Sequence, residues 1–218
     1  MAEHRVIQEP RPSTGEEIAN SVSHGVGLLA ALVAGSMLVI YAALNNKPWG
    51  TISAIVFATT VVAMYAASTL YHALPQGRVK RLFRTLEHCS ILLLIAGTYT
   101  PITLVALQNN WRWTLFGLVW MLAIVGILLK AVVASPYRWL PGVLYLGLAW
   151  LIVVAIRPLS LHMPPVGFWW LLWGGLAYTA GMAFFATTHV KYCHFVWHLF
   201  VLAGTSCHFV AVWATLCN

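Results

Sequence analysis

The chain has 218 residues, of which 61% are hydrophobic and only 8% charged, with a mean hydropathy of +0.81. Soluble domains carry about a quarter charged residues, so this composition excludes an ordinary water-soluble fold and a disordered chain alike. The net charge of +7 comes from twelve Lys/Arg against five Glu, with no Asp. The positive residues are spread between apolar runs, which reads as orientation in a membrane; no nucleic-acid partner is expected.

Residues 1–17 read as a charged tail containing Pro10 and Pro12, without the short apolar core and small-residue cleavage site of a signal peptide. Apolar runs follow at Ile18–Leu44, Gly50–Leu74, Leu86–Leu107, Trp113–Val133, Trp139–Ile156, Val166–Thr188 and Tyr192–Leu216. Each is long enough to cross about 30 Å of hydrocarbon as a helix. The breaks fall at Asn45–Pro48, Pro75–Arg84, Gln108–Arg112, Ser135-Pro136, Arg157–Pro165 and His189–Lys191. The expected architecture is all-α: a cytosolic N-terminal tail (1–17) and one seven-helix transmembrane domain (18–218). Cys89, Cys193, Cys207 and Cys217 form no CxxC pair and read as membrane-buried thiols.

With seven spans, the N-terminus and the even-numbered connections share a side. That side carries nine positives (Arg5, Arg11, Arg78, Lys80, Arg81, Arg84, Lys130, Arg138, Lys191), and the other carries three (Lys47, Arg112, Arg157). The excess predicts a cytosolic N-terminus and an external C-terminus. Trp49, Trp111, Trp113 and Trp139 sit near span ends, where an aromatic belt would place them.

Ionisable side chains inside spans are costly and mark functional sites by default. Glu17, Asn20 and His24 share a face of helix 1, and Ser68 and His72 share one near the end of helix 2. Glu87, the only acid beyond residue 17, opens helix 3, and His194 and His198 open helix 7. Odd-numbered helices start in the cytosol and even-numbered ones end there, so all four groups fall at one depth near the cytosolic surface.

Three histidines from two helices at one depth suggest a divalent metal, of which zinc fits best. The i, i+4 pair aims two imidazoles at one point, and His72 completes a His₃ set with an open position for water. Glu87 could hydrogen-bond that water and move its proton, and Ser68 could donate to the water, to a developing oxyanion or to Glu87. Blander readings stand beside these. A His pair also serves helix–helix hydrogen bonding. Glu87 could be a helix-start acid favoured by the dipole, and Ser68 a packing residue. Glu17, Asn20 and His24 either cap helix 1 or support the metal and its substrate channel; three polar groups on one face are more than a cap needs. His208 lies too deep for the same metal, and His88 points away from Glu87.

The ordered set Glu17-x-x-Asn20-x-x-x-His24, Ser68-x-x-x-His72, Glu87 and His194-x-x-x-His198 resembles the motifs of the progestin and adipoQ receptor superfamily. The strings EEIANSVSHG, STLYHALP, LIAGTYTP and HFVWHLFVLAGTSCHF are similar to its bacterial hemolysin III branch in particular. The resemblance implies a seven-helix bundle in the bacterial cytoplasmic membrane with a zinc held by His72, His194 and His198. It also implies kinship with adiponectin receptors and alkaline ceramidases, and so hydrolysis of a lipid amide; the His₃ and carboxylate cluster itself suits a lipid amide or ester. Glu87 stands where that family usually carries Asp, which lengthens the carboxylate's reach. Two other functions are compatible with the sequence: a pore-forming, cytolytic protein, and a non-catalytic regulator of membrane lipid state with a structural zinc.

Overall fold

The computed structural model describes residues 12–132, 140–187 and 190–217. Among them all regular structure is helical: α1 (Thr14–Asn45), α2 (Gly50–Ala73), α3 (Arg78–Pro101), α4 (Asn109–Val132), α5 (Leu140–Ala149), α6 (Ile156–His162), α7 (Pro165–Ala186) and α8 (Cys193–Cys217). A π turn at Ile102–Ala106 prolongs α3, and a 3₁₀ segment at Trp150–Ala155 joins α5 to α6. Among the described residues, six helical stretches are long and apolar enough to cross a membrane: Thr14–Asn45, Gly50–Ala73, Arg78–Ala106, Asn109–Lys130, Gly142–His162 and Cys193–Cys217. The chain is a multi-pass membrane protein. α7, at 22 residues, is rich in Trp and Gly, which score low in hydropathy.

The burial pattern is that of a protein in lipid. On α1 the buried residues include Asn20, Ser23 and His24, while Ile18, Val22, Leu29, Val33 and Ile40 are more than half exposed. A water-soluble helix would do the reverse. Small residues let the helices approach closely, as expected where packing replaces a hydrophobic drive. A Cβ at Gly97 on α3 would run into Thr60 Oγ1 on α2.

α1 starts with a capping box. Ser13 Oγ accepts from Glu16 N at 3.3 Å, and Glu16 Oε2 accepts from Ser13 N at 2.9 Å. The other carboxylate oxygen, Glu16 Oε1, accepts from Tyr192 N at 2.9 Å, so the start of α1 is tied to the approach to α8.

Four boundaries differ from the sequence expectation. α1 already begins at Thr14, inside the expected tail, and α4 at Asn109, inside the expected break Gln108–Arg112. Residues from Arg78 onward, read as part of a connection, already belong to α3, whose first turns are polar and amphipathic. Arg157 and Pro158, also read as a break, lie in α6. The 3₁₀ segment ends one helix and starts another, so Pro158 falls in a first turn, where its missing N–H costs nothing. The connection containing Arg138, the residue His189 and the first eleven residues lie outside the described residues.

Tyr99 spans the interruption between α5 and α6. Its hydroxyl lies 2.9 Å from Ala149 O and 3.1 Å from Leu148 O, and it accepts from Ile152 N at 2.6 Å. Buried backbone groups freed by the change of helix type are thereby satisfied, as they must be in lipid.

Candidate metal centre

The N-terminal halves of α1, α3 and α8 and the C-terminal end of α2 meet at one end of the bundle, which brings the polar residues together. Glu87 lies nine residues into α3 and does not open that helix as the sequence reading expects, so it is no helix-start acid. One ligand atom from each of His72, Glu87, His194 and His198 lies within 4.8 Å of the others. The three histidine ring centroids are 4.7–5.2 Å apart, and His72 Nε2 is 3.6 Å from Glu87 Oε1.

The hydrogen bonds fix which nitrogen carries the proton on two of the three rings. His72 Nδ1 is 2.7 Å from Glu17 Oε2, and a carboxylate only accepts, so Nδ1–H donates and Nε2 keeps its lone pair. His198 Nδ1 is 3.2 Å from the Asn20 carbonyl, with the same consequence. Ser23 Oγ, donating to that carbonyl at 2.9 Å, supports the arrangement from 3.2 Å away.

The Nε2 atoms of His72, His194 and His198 are buried, and none has a hydrogen-bond partner among the described residues. Three orphaned acceptors facing a carboxylate are expensive unless something fills the gap between them. A divalent cation fits. Three imidazole nitrogens suit zinc, with a fourth position left open for water beside Glu87.

Glu87 therefore stands among the residues that could hold the ion, a role beyond the proton transfer and the helix-start position that the sequence suggests. It is held from behind: Ser68 Oγ donates to Glu87 Oε1 at 2.6 Å, and His24 Nδ1 lies 2.7 Å from Ser68 Oγ. Since the Ser68 proton is committed to the carboxylate, His24 Nδ1–H is the donor to Ser68. Asn20 lies with its Nδ2 3.5 Å from His72 Nδ1, and its backbone carbonyl is the stronger contributor.

The other histidines stand apart. His88 Nδ1 donates to Arg84 O at 2.7 Å, His162 Nδ1 to Pro158 O at 2.7 Å, and His208 Nε2 to Leu171 O at 3.2 Å. No cysteine joins the cluster among the described residues, and all four are free thiols. Sequence reasoning missed three supporting groups: Ser23, the Asn20 carbonyl and Lys80. Lys80 had been counted only as a charge in a connection.

Beside Glu87 and His194 a cavity of about 100 Å³ runs into the bundle between α3, α5, α7 and α8. It is lined from position 194 to position 208 on α8, about 21 Å of helix axis at 1.5 Å per residue. Its tyrosines present apolar ring faces because their hydroxyls are engaged elsewhere. Tyr145 donates to His88 O at 3.1 Å, and Tyr178 pairs with Thr205 at 2.6 Å.

Helices long enough to span a bilayer, enclosing a histidine–carboxylate cluster at one end, define a polytopic membrane protein with a candidate metal centre. A profile of the Haemolysin-III related family matches residues 13–209. The chain belongs to that family. It is 38% identical to Hemolysin-3 of Bacillus cereus over 197 residues, covering 90% of each chain. It is 35% identical to the Hemolysin-3 homolog of Bacillus subtilis (strain 168), covering 90% of this chain and 92% of the relative. A more distant relative is the monocyte to macrophage differentiation factor of Homo sapiens, 26% identical over 94% of this chain and 87% of that one.

Proposed function

We propose that this chain is an intramembrane zinc-dependent hydrolase of a lipid amide or ester. It would lie in the bacterial cytoplasmic membrane with α7 as a seventh span, its N-terminus in the cytosol and its C-terminus outside. The observation that carries the reading is the set of three orphaned imidazole nitrogens and the Glu87 carboxylate at the head of an apolar cavity. The cavity is about as long as one leaflet is deep, roughly 15 Å, with some to spare. An acyl chain lying in it would bring its carbonyl to Glu87 and the histidines.

When bound, zinc supplies Lewis acidity and lowers the pKa of water to about 7. The protein's residues do the rest. Glu87 takes the proton of the attacking water and returns it to the leaving group. Ser68 holds Glu87 by its 2.6 Å bond, and His24 holds Ser68 in turn. Once Glu87 is protonated, the Ser68 hydroxyl is released to donate to the developing oxyanion. Glu17 and the Asn20 carbonyl keep His72 and His198 in the tautomer that offers Nε2.

A pore would need a polar path through the whole bundle. The cavity beyond the cluster is walled by side chains such as Ile91, Leu94, Met182 and Val201, which favours a lipid tail over a stream of ions. The deciding experiment compares turnover of lipid amides and esters by purified wild type, Glu87→Gln and His198→Ala. Loss of turnover in both variants is expected; unchanged turnover in either overturns the hydrolase reading.

A further inference from the structure

Lys80 is a lysine at the end of the bundle whose side chain is almost wholly enclosed. It is 5% exposed, and three groups account for its ammonium. Nζ is 2.9 Å from Glu17 Oε1, donates to Leu74 O at 3.1 Å, and sits 4.9 Å from the centre of the Tyr71 ring. Glu17 uses its other oxygen on His72, at 2.7 Å. One continuous chain of contacts thus runs from the end of α2 through Lys80 and Glu17 to an imidazole of the candidate metal centre.

Glu17 borders an open groove of about 620 Å³, which Ser21, Gln76 and Lys80 also line. A carboxylate at such a border gains hydration by turning outward. Doing so would strip His72 of the acceptor that keeps its proton on Nδ1. Lys80 blocks that turn by anchoring the second oxygen, and its own position is fixed by a backbone carbonyl rather than by a mobile side chain.

We propose that Lys80 is a positioning residue of the metal centre: by holding Glu17 against His72 it keeps His72 Nε2 available as a ligand. This rests on the metal-binding reading above. It also makes a prediction opposite in sign to plain electrostatics. An ammonium near a cation site repels the cation, so removing the charge alone would tighten metal binding. Removing an outer partner that orients a ligand weakens it, typically 10- to 100-fold.

The test is zinc affinity of the detergent-purified full chain, measured by competition with a zinc chelator for wild type, Lys80→Met, Lys80→Arg and Glu17→Gln. Lys80→Met is expected to bind about 10-fold more weakly. Lys80→Arg, which keeps a cationic donor, should stay within a few-fold of wild type. Glu17→Gln, which leaves the bond from Lys80 to Leu74 in place, should weaken binding as Lys80→Met does, and it carries the test if Lys80→Met does not fold. Affinity unchanged or increased in Lys80→Met, or unchanged in Glu17→Gln, overturns the positioning role while leaving the metal centre intact. Absence of zinc binding by wild type overturns the metal centre itself, and the proposal with it.

Discussion

The imidazole rings of His24 and His198 are stacked face to face, 3.6 Å between centroids and 5° from parallel. His198 is fully buried and His24 nearly so. Both rings carry a buried Nε2 without a partner among the described residues. That of His198 lies in the histidine–carboxylate cluster, while His24 bonds Ser68, so a single contact joins the cluster to the hydrogen-bond chain that ends on Glu87.

Truncating His24 to Ala removes the donor to Ser68 and opens a void against His198. Leaving a buried hydroxyl short of a partner costs about 1–3 kcal/mol. In a chain of this size that corresponds to a fall in Tm of about 2–4 °C per kcal/mol. Thermal unfolding in detergent should show it, and an unchanged Tm would mean that the contact is incidental.

Metal content gives the sharpest check of the centre. Elemental analysis of the zinc-replete wild type should return about one zinc per chain. The double variant His194→Ala/His198→Ala should return none. Zinc retained in the double variant would place any bound metal elsewhere.

Glu87→Gln separates binding from chemistry. The amide keeps the volume and can still lie beside Ser68, but it cannot take a proton. Turnover should drop by about 10²-fold or more, while the zinc content falls little. A large loss of zinc instead would show that Glu87 acts chiefly as a ligand.

Tyr99→Phe deletes the hydroxyl that accepts from Ile152 N and meets Ala149 O. The backbone at the 3₁₀ segment is then left unpaired, at about 1–3 kcal/mol. Hydrogen exchange at Ile152 should accelerate in the variant. If protection is retained, the interruption is held by its neighbours and not by Tyr99.

Filling the cavity should act by chain length. Val201 on α8 is buried and lines the cavity. Val201→Trp is expected to suppress turnover of long-chain lipids more than that of short-chain ones while zinc binding persists. Equal loss for all chain lengths would argue against an acyl tail in this space.

Much of this site could be read from spacing alone. The four-residue intervals Ser68/His72 and His194/His198, together with helix direction, place Ser68, His72, Glu87, His194 and His198 at one depth. Lys80 escaped because charge counting treats a lysine near a span end as solvent-facing, and only the packing of Tyr71, Leu74 and Glu17 around it shows otherwise. The role of the Asn20 carbonyl was equally hidden, since a backbone atom leaves no mark in a sequence. The interruption at Trp150–Ala155 falls within an unbroken apolar run, so composition carried no sign of it; its partner, Tyr99, lies on another helix.

The cluster draws on α2 and α3 early in the chain and on α8 near its end. During synthesis the first two would be in the membrane well before His194 and His198 leave the ribosome. Until α8 docks, His72 and Glu87 face a gap that water or a stray ion can occupy. Completion of the cluster therefore waits on the last helix of the chain.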